Sequence, residues 1–291
     1  MTMPGPPPSM PRMGNLTALK AVFLGALQGA TEFLPVSSSG HLVIAQSLLG
    51  VQIEDGGLLT FDVFLHFGTL VAVVVFFWRE IFEILTSPFR AREAAPGRSG
   101  MTVPQARRLG LMIVLATVPA AVVGLLLEDV FERLVSSAPA AAAMLLVTGG
   151  MLWATRRVRG QGEGLEGLTL RRSLIVGFAQ ALAIIPGISR SGSTISGGLF
   201  MGLNRDLAAK FAFLLAVPAI GGAAVLKLGD LSAFTGDLLA ATAAGTLTAA
   251  VVGFACIKWL LGVVRRGHLS WFAPYCWAVG LATIAYVLIS G

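Results

Sequence analysis

Long apolar stretches recur along most of the chain, and polar residues are concentrated in the short segments between them. Six of these stretches approach or reach the ~20 residues that an α-helix needs to cross the hydrocarbon core of a bilayer. We therefore predict six transmembrane helices, at about residues 62–78, 109–127, 138–154, 207–226, 238–258 and 271–289.

Two further apolar stretches, at about 16–50 and 172–203, are interrupted in the middle by proline, glycine and a run of hydroxyl residues. Backbone that is not helical is tolerated at membrane depth only where it is buried in protein or lines a wet cavity. We therefore predict that each stretch forms a re-entrant helix–loop–helix hairpin. They are called hairpin 1 (16–50) and hairpin 2 (172–203) from here on.

The composition supports an all-α polytopic membrane protein. Hydrophobic residues make up 55% of the 291 residues, the mean hydropathy is +0.81, and only 12% of the residues are charged. Soluble domains carry about twice that share of charge. This excludes a secreted disulfide scaffold, a coiled coil and a nucleic-acid reader, so membrane lipids are expected partners and nucleic acid is not. The two cysteines and three scattered histidines do not form a zinc set.

Basic residues are distributed unevenly between the two sides of the predicted membrane domain. Lysine and arginine mark cytoplasmic segments, and four segments hold 16 of the 21 basic residues: 79–108, 156–172, 203–210 and 258–268. With these segments in the cytoplasm, both termini lie outside. The proline-rich residues 1–15 are predicted to be a disordered tail, and no cleavable signal peptide is recognised.

The two hairpins resemble one another when the sequence is shifted by 152 residues. Because each hairpin is followed by three spans, the second copy is inverted, and we predict a first repeat over 16–156 and a second over 172–291. Inverted repeats place their interrupted helices face to face near the membrane midplane, so the two polar loops are expected to meet. The identities are Gly25 with Gly177, Gln28 with Gln180, Ser37 with Ser189, Ser39 with Ser191, and Gly40 with Gly192.

The two loops carry the chemistry expected of a phosphate site. In hairpin 1, Gln28 and Glu32 share a helix face, and Pro35 is followed by Ser37–Ser39 and His41. In hairpin 2, Arg190 offers a fork of donors that matches phosphate oxygens. Its neighbours Ser189, Ser191 and Thr194 add hydroxyls, and a helix N-terminus there favours anions.

Each of these residues also has a purely structural interpretation. Serines in membrane helices commonly bind backbone or neighbouring helices, and Glu32 with Arg190 could form a structural ion pair across the repeats. His41 could be a satisfied core histidine, although its position beside Glu32 favours catalysis. His66, on the first predicted span, faces either the same cavity or the packed interior.

The two loop motifs are similar to those of a known family. Gln28-x-x-x-Glu32 followed by Phe-Leu-Pro-Val-Ser-Ser-Ser-Gly-His, and later Pro-Gly-Ile-Ser-Arg-Ser-Gly-Ser-Thr, resembles the bacitracin-resistance type of undecaprenyl-diphosphate phosphatase. The likeness covers nearly the whole chain after the tail. The family's first motif begins with Glu or Gln, and the Gln form at position 28 weakens any scheme that needs two carboxylates there.

The resemblance implies hydrolysis of undecaprenyl diphosphate to undecaprenyl phosphate and inorganic phosphate with a divalent cation, Mg²⁺ or Ca²⁺. The product is the lipid carrier reused in peptidoglycan synthesis, and excess enzyme protects against bacitracin. The expected location is the bacterial cell (inner) membrane, with the site opening to the extracytoplasmic side. The sequence does not determine the oligomeric state, and a homodimer is possible. The alternative function is a transporter or flippase of a phosphate-bearing lipid, because inverted repeats with interrupted helices are typical of transporters.

We assign hypothetical roles on this basis. The catalytic set comprises Glu32, Ser38, His41 and Arg190, with Ser38 as nucleophile and His41 as its base. The rival is direct attack by water activated by Glu32 or His41. Glu32 and Gln28 would hold the cation through oxygen atoms. The phosphate groups would be bound by Arg190 together with Ser37, Ser39, Ser189, Ser191 and Thr194.

Overall fold

The computed structural model describes residues 15–51, 53, 57–90, 96–126, 138–158, 161–227, 229, 234 and 236–290. The predicted disordered tail lies, except for Asn15, outside this part of the chain. Within it there is no β-strand, only one isolated bridge between Glu163 and Leu203. The described residues form eleven α-helices: α1 Ala18–Phe33, α2 Ser38–Leu48, α3 Gly57–Phe76, α4 Trp78–Thr86, α5 Val103–Leu126, α6 Ala138–Ala154, α7 Leu170–Leu182, α8 Arg190–Phe200, α9 Arg205–Lys227, α10 Gly236–Arg265 and α11 Ala273–Ser290.

Five segments are long and apolar enough to cross a bilayer, which confirms a multi-pass, all-α membrane protein. Four of them lie in α3, α5, α9 and α10, and the fifth, Leu269–Ile289, begins just before α11 and covers most of it. The sixth predicted span, 138–154, coincides with α6, whose 17 residues reach about 26 Å at the helical rise of 1.5 Å per residue. The structure also contains α4, a short amphipathic helix in a segment for which the sequence predicted no helix.

Both predicted hairpins are helix–loop–helix units with matching bounds. The first helices, α1 and α7, begin 152 residues apart, and each follows a threonine whose side chain accepts a hydrogen bond from the backbone three residues on. The second helices, α2 and α8, begin and end 152 residues apart. The shift found in the sequence therefore also relates the local structures, which supports the predicted duplication.

Each hairpin packs mainly against a helix of the other half of the chain. Helix α1 lies along α10, and α7 lies along α5, while α6 packs against α11 and α3 against α9. Glycines allow the first two contacts, because a methyl group on Gly25 would overlap the carbonyl oxygen of Gly245 and one on Gly177 would overlap that of Ala116. Small residues permit such close backbone approach between membrane helices. The predicted inverted relation would produce this reciprocal exchange.

The base of hairpin 2 is closed by a cluster of polar contacts on the side predicted to be cytoplasmic. Arg172 donates to Glu163 Oε1 at 2.6 Å and to the carbonyl oxygen of Gly167 at 2.6 Å. The hydrogen bond and the positive charge of Arg172 lower the pKa of Glu163. The backbone of Glu163 pairs with Gly202 and Asn204 just beyond α8, so this loop joins both ends of the hairpin.

We expect Gly25→Ala and Gly177→Ala each to lower the free energy of unfolding by about 1–3 kcal/mol, because the added methyl group meets backbone that cannot rotate away. Gly262→Ala in α10 is the matched control, since a Cβ there meets no described atom within 4 Å. The measurement is denaturant unfolding in detergent followed by tryptophan fluorescence. Equal stability of all three variants would contradict the close helix contacts.

Candidate active site

The loops of the two hairpins touch at their tips. The backbone N–H of Gly187 donates to Ser37 Oγ at 3.1 Å, and Ser191 Oγ donates to the carbonyl oxygen of Leu34 at 3.2 Å. A Cβ on Gly192 would lie 3.4 Å from the Cβ of Pro35. The predicted meeting of the two polar loops is therefore observed, and it places the starts of α2 and α8 beside each other.

Unusual backbone and one helix of the first half shape these loops. Ser37 has φ +67°, the one positive φ of a non-glycine among the described residues. Gly187 has φ +92°, and a Cβ there would overlap the carbonyl oxygen of Ala141 in α6. Thr148 Oγ1, also in α6, donates to the carbonyl oxygen of Gly187 at 2.8 Å and accepts from the backbone N–H of Ser189 at 3.1 Å. Helix α6 thus holds the loop that precedes Arg190.

An ion pair joins the two hairpins. Arg190 Nη2 lies 3.0 Å from Glu32 Oε1, with the Glu32 side chain 4% exposed and the Arg190 side chain 25% exposed. Glu32 comes from the C-terminal end of α1, and Arg190 is the first residue of α8. The guanidinium therefore has donors left to bind an anion, because five N–H groups radiate from it.

Three further polar groups lie close to Oε2, the second carboxylate oxygen of Glu32. Gln28 Nε2 donates to Oε2 at 3.0 Å, Ser38 Oγ donates to it at 2.6 Å, and His66 Nε2 lies 3.5 Å away. The spacing of four residues puts Gln28 on the same face of α1 as Glu32, as predicted. His66, whose position the sequence left open, faces the site.

His41 is held at both ring nitrogens. Its Nδ1 lies 2.8 Å from the carbonyl oxygen of Ser37, and its Nε2 lies 2.8 Å from the hydroxyl of Tyr275 in α11. The side chain is buried, whereas Tyr275 is half-exposed. Neither ring nitrogen contacts a hydroxyl of the serine run.

The predicted pairing of Ser38 with His41 is therefore corrected. Ser38 binds Glu32, because a buried carboxylate is a stronger acceptor than a neutral imidazole. His41 instead binds the carbonyl of Ser37, whose positive φ belongs to the loop just before α2. Of the predicted bases, Glu32 is the one in contact with the predicted nucleophile.

The hydroxyls predicted to bind phosphate all have partners within the protein. Ser37 and Ser39 lie 3.4 Å apart, and Ser189 and Ser191 lie 3.2 Å apart. Ser189 Oγ also accepts from the backbone N–H of Gly192 as the N-cap of α8, and Thr194 Oγ1 donates to the carbonyl oxygen of Arg190. These bonds build the loops and the start of α8, and phosphate binding by the hydroxyls stays a prediction.

The polar atoms near Glu32 are compatible with a divalent cation shared with a ligand. Gln28 is fully buried, and its Oε1 has no hydrogen-bond partner among the described residues. An amide oxygen beside a carboxylate is a donor type that Mg²⁺ and Ca²⁺ accept. No group of three His, Cys, Asp or Glu residues in the described part of the chain is placed to hold a metal, so a ligand would complete the coordination.

Two contributors to the site were missed by the sequence analysis. Thr148 and Tyr275 both lie inside stretches predicted simply as spans, and they reach the loops only through the packing of α6 and α11. A threonine or tyrosine in an apolar span is common, so neither residue gave a local signal. Their roles depend on contacts between residues far apart in the sequence.

Comparison with known proteins places this arrangement in a family. Residues 21–282 match the family described as bacitracin resistance protein BacA. The undecaprenyl-diphosphatase of Desulfatibacillum aliphaticivorans is 45% identical over 271 residues, which cover 91% of this chain and 97% of that protein. The undecaprenyl-diphosphatase of Desulfosudis oleivorans is 46% identical over 270 residues, again 91% of this chain and 97% of the relative. This chain, with its paired hairpin loops, therefore belongs to the bacitracin resistance protein BacA family.

Proposed function

We propose that the protein hydrolyses undecaprenyl diphosphate to undecaprenyl phosphate and inorganic phosphate, the activity for which its relatives are named. The observation that carries the proposal is the buried Glu32, which contacts both Arg190 and Ser38 where the hairpin tips meet. The reaction returns the lipid carrier to peptidoglycan synthesis, and excess enzyme confers bacitracin resistance. The protein acts in the cell membrane.

Arg190 is the proposed clamp for the phosphoryl oxygens. A diphosphate brings about three negative charges into a site of low dielectric, so positioning and charge neutralisation dominate catalysis. Glu32 already offsets the charge of Arg190 in the structure. Substrate phosphate would bind the donors of Arg190 that do not face Glu32, and Glu32 has a second role.

That role is the activation of Ser38. The hydroxyl proton of Ser38 points at Glu32 Oε2. In the proposed step this proton moves to the carboxylate, Ser38 Oγ bonds to the terminal phosphorus, and the bond from that phosphorus to the bridging oxygen breaks. Undecaprenyl phosphate leaves. Water then attacks the phosphorus, the bond from phosphorus to Ser38 Oγ breaks, and the proton held by Glu32 returns to Ser38 as inorganic phosphate is released. Direct attack by water activated by Glu32 is the rival, with Ser38 binding phosphate.

Glu32 and Gln28 are the residues proposed to hold Mg²⁺ or Ca²⁺. The partnerless Oε1 of Gln28 supports this assignment. When bound, the cation would neutralise phosphate charge that Arg190 leaves uncompensated. Gln28 is neutral, whereas the family motif also allows glutamate at this position. The cation would therefore rely on one protein carboxylate and on phosphate oxygens.

We propose that the site opens to the extracytoplasmic side. The support is the distribution of basic residues, which assigns the loop at the base of hairpin 2 to the cytoplasm. Hairpin 1 then enters from the opposite side. A transporter of phosphate-bearing lipids is not favoured, because the relatives are named as phosphatases and because a serine bound to a buried carboxylate exceeds what binding requires.

The direct test is phosphate release from undecaprenyl diphosphate by the purified protein in detergent micelles. Micelles carry no transmembrane gradient, so turnover there distinguishes hydrolysis from transport. We expect release of inorganic phosphate with added Mg²⁺ or Ca²⁺ and loss of release with a chelator. Absence of phosphate release with every cation tested would contradict the proposed function. Phosphate release that a chelator leaves unchanged would contradict the proposed need for a metal ion.

We expect Arg190→Lys to lower kcat/KM by about a hundredfold or more, because lysine keeps the charge but lacks the two-pronged donor geometry. The assay is phosphate release at saturating and limiting substrate. Arg172→Lys is the matched control, since Arg172 is an arginine of the same hairpin whose pair with Glu163 lies away from the site. Near-normal turnover by Arg190→Lys would contradict the assignment of Arg190 as the residue that binds the phosphoryl oxygens.

We expect Ser38→Ala to lower kcat by more than about a hundredfold. In the unsubstituted protein, acid quenching during turnover followed by mass spectrometry should find phosphate on Ser38. Ser47 is an exposed serine on the same helix, and Ser47→Ala should behave as the parent. Substantial turnover by Ser38→Ala without any trapped phosphoserine would favour the water-attack alternative.

A further inference from the structure

Tyr275 lies outside both loop motifs and yet contacts the predicted catalytic histidine. Its hydroxyl is 2.8 Å from His41 Nε2, and the two rings are nearly parallel, with an interplanar angle of 8° and centroids 5.7 Å apart. The two residues are 234 positions apart in the sequence. The contact therefore belongs to the tertiary fold rather than to the hairpin.

The hydrogen-bond roles at His41 follow from its partners. The carbonyl oxygen of Ser37 can only accept, so His41 Nδ1 must carry the proton of that bond. In the neutral ring, Nε2 then has a lone pair and accepts from the hydroxyl of Tyr275. The two bonds fix one tautomer and one ring orientation, whereas the Nδ1 bond alone would leave the ring free to tilt.

The two residues that follow Tyr275 attach the start of α11 to neighbouring elements. Cys276 Sγ lies 3.6 Å from the carbonyl oxygen of Pro35 in the loop of hairpin 1. Trp277 Nε1 donates to the carbonyl oxygen of Leu146 in α6 at 3.1 Å. The start of α11 is therefore attached both to the loop that carries the serine run and to the helix that shapes the opposite loop.

We propose that Tyr275 is a positioning residue for the reaction. It holds the imidazole of His41 against the carbonyl oxygen of Ser37 and so fixes the backbone that carries Ser38. This inference rests on the proposed phosphatase function. Tyr275 acts through His41 and not on the substrate. Removal of its hydroxyl should reduce turnover rather than substrate binding.

The kinetic test is Tyr275→Phe, which keeps the ring and removes the hydroxyl. We expect kcat to fall about tenfold, because a small displacement of the reacting group costs up to about a hundredfold in rate, with KM changed by less than about twofold. Tyr286→Phe is the matched control, because it removes a hydroxyl from the same helix about three turns away. Unchanged kcat in Tyr275→Phe would overturn the proposal.

A double-substitution cycle tests whether Tyr275 acts through His41. In a His41→Gln background, Tyr275→Phe should cause no further loss of kcat, since the partner it positions is gone. A full additional tenfold loss in that background would show that Tyr275 works by another route, or only through stability, and would overturn the proposal.

A spectroscopic test requires no activity and separates this inference from the proposed function. The chain has three histidines, so ¹⁵N-labelled histidine gives few signals, and the His41→Gln variant identifies those of His41. Tyr275→Phe should move the Nε2 signal of His41 and leave the protonated Nδ1 in place. Biosynthetic replacement of tyrosine by 3-fluorotyrosine keeps the aromatic ring of Tyr275 and makes its hydroxyl a stronger hydrogen-bond donor. The Nε2 signal of His41 should therefore move in that protein as well. Unmoved signals in both experiments would refute the contact even in an active enzyme.

Discussion

The ion pair between Glu32 and Arg190 joins two hairpins that lie far apart in the chain, and the rest of the site is arranged around it. A charge removed from water is costly unless it is paired and hydrogen-bonded. Glu32 has three polar neighbours from the first half of the chain, and hairpin 2 supplies the opposite charge, Arg190. Arg190 in turn lies at the start of α8 and has the Glu32 carboxylate as its counter-ion. The pair therefore constrains both hairpins to end at one place, and the catalytic proposal uses the same two groups.

The approach of the two tips depends on packing far from any charge. Helix α1 lies against α10 through Gly25 and Gly245, and α7 lies against α5 through Gly177 and Ala116. Larger residues at these positions would hold the helices apart and move Glu32 and Arg190 away from each other. Glycine at these contacts thus serves the geometry of the site as much as the stability of the fold.

Much of the fold could be predicted from the sequence because its signals are local. Hydropathy located the spans, and proline, glycine and serine runs located both hairpins. The 152-residue shift predicted the meeting of the loops. Helix α4 was missed because a nine-residue amphipathic helix has too short a pattern to stand out from a polar segment. The partners of His41 and Ser38 could not be predicted, since both choices depend on which side chains the packed helices bring near and on the backbone of Ser37.

The reciprocal packing also has a consequence for biosynthesis. A chain emerging from the ribosome inserts hairpin 1 long before α10 and α11 exist, although α10 forms the surface on which α1 rests and α11 supplies Tyr275. The carboxylate of Glu32 lacks its guanidinium until hairpin 2 inserts, and α1 lacks its neighbour until α10 enters the bilayer. The nascent first half is thus an intermediate with unpaired polar groups, and the site is complete only after α11 has been inserted.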